Sequence, residues 1–207
     1  MSIAVIVAAA VAAAAPAAPA NPSLPPIVVN LAATSDVSPR VIGMAVEEVE
    51  TLFRSAGIRF IWRRGDHLPG ALRVVIGAES GPARDRNTPL GWLEFDNGVP
   101  SRDIHISYRN TERFMEASRE VVGLIKQKTI VEHDMLLGRA LGRALAHELG
   151  HYLLAAKAHT AKGLLKGVRT AQEFFSADRS AFALNAVERR QIAARLRNEL
   201  HLARRDN

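Results

Sequence analysis

Residues 147 to 151 read His-Glu-Leu-Gly-His, inside an apolar-periodic stretch from Met135 to Ala156 that has the pattern of a buried helix. On an α-helix, positions four apart lie about 40° apart around the axis and one turn along it. His147 and His151 therefore present their imidazoles side by side, the spacing at which two neutral rings can share one Zn²⁺. Glu148 falls about 60° from His151, at the edge of the same face. From there it can reach a water next to the metal without being a ligand, as the general base of a metallohydrolase must. Leu137, Leu141, Leu145, Leu149 and Leu153 recur every fourth residue and form a stripe roughly opposite the histidines, facing a core. Ala140, Ala144 and Gly150, beside the histidines, are expected to leave room for metal and substrate.

A catalytic zinc usually has three protein ligands and one open position. The next candidate is His159, eight residues beyond His151. In an unbroken helix it would sit about 12 Å further along the axis, too far to share the metal. The helix must therefore end near Leu154 to Lys157 and the chain turn back, although no Gly or Asn occurs before Gly163. Lys157 suits the negative end of the helix dipole. His105 and His133 have no partner at metal-binding spacing and read as ordinary surface or core histidines.

With His147, Glu148 and His151 in place, the chain resembles the metzincin zinc peptidases, whose motif continues past the second histidine to a glycine, a third histidine and a tight turn with Met. Here Leu154 stands at the glycine position, Lys157 at the third-histidine position, and His159 arrives two residues later. The segment His159 to Leu165 is similar to a shortened third-ligand-plus-turn segment, with Leu165 in place of the turn Met as an apolar floor. The related gluzincins take a glutamate from a second helix instead, for which Glu173, or Asp178, is available. The resemblance implies an α+β zincin-like catalytic domain, hydrolysing peptide bonds with one Zn²⁺ held by His147, His151 and His159 and with Glu148 as base. It also implies that one sheet edge pairs with an extended protein or peptide substrate. Ile104 to Tyr108 is the segment nominated for that edge, with Tyr108 a candidate for oxyanion stabilisation against the plainer reading of a half-buried strand residue.

Elements able to position this site precede and follow it. Pro26 to Ala33 reads as a strand, and Pro39 to Ser55 as a helix through Val41, Met44, Ala45, Val49 and Phe53, ended by Gly57. Strands are expected at Ile58 to Trp62, Leu72 to Ile76, Leu90 to Phe95 and Ile104 to Tyr108, the last two joined by the turn residues Asp96-Asn97-Gly98. A helix with Val121, Val122, Leu124 and Ile125 on one side follows, and Asp134 is the expected N-cap of the histidine helix. A C-terminal helix is expected to be capped by Asn185 with Glu188 and to pack through Val187, Ile192, Leu196, Leu200 and Leu202. The sum is a mixed N-terminal sheet packed on helices and a mostly helical C-terminal part.

The ends and composition bound the setting. Ile3 to Ala15 is an unbroken apolar run too short to span a membrane comfortably, followed by Ala18-Pro19-Ala20, an A-x-A-like cleavage site. The reading is a signal peptide over residues 1–20, a Pro/Ala linker over 21–26 and a single domain over 27–207, exported to the periplasm or medium without stable membrane insertion. Cysteine is absent, which excludes disulfides, thiol catalysis and cysteine-ligated zinc. The net charge is +6, with the excess gathered from Lys157 onward. Nucleic-acid or anionic-polymer binding is thus an alternative, as is a peptidase relative that only binds. Aromatic residues at 5% and the lack of any reader motif speak against specific nucleic-acid recognition. The arginines of the C-terminal helix read as a solvated face. Activity is expected to fall below about pH 6, where the histidine ligands protonate.

Overall fold

The computed structural model describes residues 24–65, 70–77 and 89–205; the expected signal peptide lies outside them. Seven strand residues, Ile27–Ala33 (β1), are followed by helix Pro39–Arg54 (α1), then by strands Phe60–Arg63 (β2), Leu72–Gly77 (β3), Gly91–Asp96 (β4) and Val99–Ser107 (β5). They form one sheet in the order β2-β1-β3-β5-β4, parallel except for the antiparallel β4–β5 hairpin. Asn97 and Gly98 turn that hairpin with φ of 48° and 82°, the left-handed pair such a tight turn requires. The fold is α+β, as expected. β5 is interior, however, and β4 holds the sheet's edge, so the nominated edge strand is corrected by one.

Helices Tyr108–Ala117 (α2) and Arg119–Val122 (α3) lead to the long helix Ile130–Leu154 (α4). Tyr108 therefore opens a helix instead of closing a strand, because the Ser107 hydroxyl caps Asn110 N–H. The expected helix around Val121 to Ile125 is broken at Gly123, whose φ of 78° ends it; Leu124 is 55% exposed. The histidine helix starts five residues before the expected Asp134. Thr129 and Glu132 form a reciprocal capping box there, which outranks the aspartate as a start signal.

One face of the sheet, through Val29, Leu31, Val74, Ile76, Ile104 and Ile106, packs against α1 and α4 in a single core. All five leucines of the α4 stripe are buried, at 2% exposure or less. A second side of this helix is covered by α1. Gly138 and Gly142 permit that approach: a Cβ on Gly142 would lie 2.6 Å from the Ala45 carbonyl oxygen. Beside them Arg143, fully buried, donates Nε–H to Glu48 of α1 at 2.8 Å, and its Nη atoms to the carbonyls of Glu173 and Asp178. Arg179 holds the other Glu48 oxygen at 2.7 Å. This network ties the short helix Ala171–Phe175 (α5) and its neighbourhood to α1 and α4. The last helix, Ala186–Arg205 (α6), carries the expected Asn185/Glu188 capping box and buries Ile192 and Leu196, while Val187 is exposed. Among the described residues no helix is long and apolar enough to cross a membrane.

Candidate metal centre

The C-terminal turns of α4 bring His147 and His151 together with their Nε2 atoms 3.0 Å apart. Each ring is anchored from its other nitrogen: His147 Nδ1 lies 2.8 Å from the Leu164 carbonyl oxygen, and His151 Nδ1 lies 2.5 Å from that of Ala156. A carbonyl can only accept, so both Nδ1 atoms carry the proton and both Nε2 atoms face one another as bare lone pairs. Two lone pairs held that close repel unless a cation lies against them. The carbonyl-anchored imidazole is also the usual outer support of a histidine metal ligand.

The turn that sequence spacing demanded is made at Ala155, which adopts a left-handed conformation with φ 47° and ψ 39°. Ala155 N–H bonds to Tyr152 O and Ala156 N–H to His151 O, the two bonds of a Schellman ending with alanine in the position glycine usually takes. That same turn delivers the Ala156 carbonyl to His151.

His159 then folds back onto the pair. Its ring stacks on His147 with centroids 5.3 Å apart and meets His151 edge-on at 5.0 Å. One ligand atom from each of the three histidines lies within 4.8 Å of the others, the only such cluster of metal-binding side chains among the described residues. The loop after His159 is closed by Thr160 N–H to Leu165 O at 2.9 Å, and Gly167 passes directly under the ring. A Cβ on Gly167 would stand 2.9 Å from His159 Cγ. Glu148 is buried beside this group, and a Cβ on Gly91, at the start of edge strand β4, would be 2.9 Å from its Cγ.

Burial pulls the His147 pKa down to about 3, aided by the positive field of its neighbours; burial likewise lowers His151. His147 is thus neutral well below the pH 6 limit anticipated from ordinary histidine values, and His151 shifts in the same direction, the neutral form being the one that binds metal.

Several expectations change. Gly150 leaves no room for metal or substrate; it admits Leu164 and Leu165, the first of which would lie 2.8 Å from an added Cβ. Leu165 is buried as expected of an apolar floor. Glu173 is taken up by Lys166 at 2.7 Å and by its own capping box with Thr170, and Asp178 caps Ser180, so neither joins the histidines. Tyr108 interacts with Glu112, Asp36 and Asp134, and burial and these acids push its pKa up. Asp134 precedes His147 by about 20 Å of helix, which places the tyrosine at the opposite end of α4 from the cluster. His105 stacks on Trp92 and His133 lies near Asp134, in line with ordinary roles. The carbonyls of Ala156 and Leu164 and the close-packed Gly91 and Gly167 had no sequence signal beyond the glycines themselves.

No protein-family model matches the chain, and no curated protein matches it. Among solved structures, the crystal structure of metalloproteinase-II from Bacteroides fragilis aligns with a TM-score of 0.43 and 12% identity, over 84% of this chain and 53% of that one. The chain thus spans about half the length of that structure.

Proposed function

We propose that this protein is an exported zinc metallopeptidase of zincin type. The observation that carries the reading is the convergence of His147, His151 and His159, two of them fixed by backbone carbonyls so that Nε2 points inward. The three imidazoles would hold the metal, and a bound Zn²⁺ supplies Lewis-acid activation of water and of the scissile carbonyl. Glu148 accepts the proton of the attacking water on its carboxylate and returns it to the departing amine nitrogen. An extended protein or peptide substrate pairs with the side of β4 away from β5, which is unpaired among the described residues; the first residue of β4, Gly91, packs on Glu148.

Zinc content and cleavage of unstructured casein, compared between wild type and Glu148→Ala, test this reading. The expected result is one zinc in both proteins and chelator-sensitive hydrolysis only in wild type. Chelator-insensitive cleavage, or equal activity in the variant, would overturn it.

A further inference from the structure

Arg169 belongs to the late excess of basic residues, yet its side chain is 3% exposed. Its guanidinium carbon lies over the Phe182 ring, 3.8 Å from the centroid, and the group is paired with Glu173 at 3.7 Å. From this fixed position Nη2 donates to the carbonyls of Gly163 and Leu164, at 2.5 and 2.9 Å, and Nη1 to that of Ala181 at 3.1 Å. The Leu164 oxygen is the one that accepts from His147 Nδ1.

We infer that Arg169 is a positioning residue for the metal centre, acting on His147 through the Leu164 carbonyl. Gly163 and Leu164 lie outside any helix or strand; the Gly163 oxygen accepts a turn bond from Lys166 N–H at 3.2 Å, but the ladder bonds that normally orient a carbonyl are lacking at Leu164. The guanidinium supplies that orientation instead: Nη2 donates to both successive carbonyls while Nη1 holds Ala181 O and the group rests over Phe182, a planar, stacked arrangement that a lysine ammonium does not reproduce. With the Leu164 oxygen held, His147 keeps its proton on Nδ1 and its lone pair on Nε2. Released, the oxygen would turn away and the ring would lose both its tautomer and its tilt. Outer supports of this kind change metal affinity by about 10- to 100-fold.

The inference rests on the proposed zinc site, but one of its measurements does not. In the metal-free protein, ¹⁵N chemical shifts of the His147 ring report the tautomer directly. Wild type is expected to show the Nδ1–H form, and Arg169→Lys and Arg169→Gln a mixture. Zinc affinity, by competition with a chromophoric chelator, is expected to fall about 10- to 100-fold in both variants. A Val74→Ala control, which thins the core beneath strand β3, should lower stability without changing zinc affinity. Unchanged His147 tautomer populations in the variants overturn the role of Arg169. If wild type binds no zinc, the proposed function fails, and the tautomer populations alone decide for or against Arg169.

Discussion

The two halves of the histidine cluster are built in opposite ways. His147 and His151 ride on a helix whose leucine stripe is buried to 2% exposure or less and whose glycines seat it against α1. His159 sits in a segment outside regular structure, where Arg169 grips backbone carbonyls and, nearby, Arg143 ties α5 to α4. A helix fixes side chains through a repeating backbone ladder, so its precision comes with its periodicity. An irregular segment has no such ladder, and its carbonyls are satisfied one at a time, some by turn bonds such as Thr160 N–H to Leu165 O and others by side chains. Buried arginine suits that task because its fork offers five donors in one plane.

The largest expected effect comes from breaking the joint between the halves. Arg143→Met leaves Glu48 buried with Arg179 as its remaining partner and strips donors from the Glu173 and Asp178 carbonyls. Urea unfolding is expected to show a loss of about 3–5 kcal/mol. A loss under 1 kcal/mol would mean the two halves are joined mainly by apolar packing.

Acid should attack the helix half. The folded-state pKa of His147, about 3, lies below the ordinary value of 6.5, so the unfolded chain takes up a proton first as pH falls. Stability of the metal-free protein is expected to be full above pH 6.5 and to decline below it, by roughly 3 kcal/mol at pH 4 from this group. His147→Asn should flatten that portion of the pH profile; an identical profile would contradict the burial of a neutral imidazole.

The loop half can be disturbed with little cost in stability. A methyl group on Gly167 would meet His159 Cγ at 2.9 Å, so Gly167→Ala should displace the ring and weaken zinc binding by about tenfold, or about 1.4 kcal/mol. Titration calorimetry checks this, and unaltered affinity would place His159 outside the ligand set. The smallest effect is expected at the junction. Ala155 is left-handed at φ 47°, so Ala155→Gly should relieve strain and raise stability by about 0.5–1 kcal/mol, read as a higher midpoint in thermal unfolding.

The same contrast explains what could be read from sequence. The Leu137 to Leu153 stripe, the Asn97-Gly98 turn and the Asn185/Glu188 cap are local patterns, and the helix half is assembled from such patterns. His159 was found because metal geometry excludes a continuous helix, even though no glycine marks the break. Strand order was not legible, since parallel pairing of β1 with β3 and of β3 with β5 depends on contacts far apart in the chain. Nor were Arg143 and Arg169, because burial of a cation is decided by carbonyls and carboxylates that only the fold brings together.

The central claim is that His147, His151 and His159 hold one zinc ion. A crystal grown with zinc and measured across the zinc absorption edge tests it most directly. The account predicts one anomalous peak at bonding distance, about 2.0–2.1 Å, from a nitrogen of each of the three rings. A peak bound to Glu173 in place of His159, or no peak between His147 and His151, would contradict it.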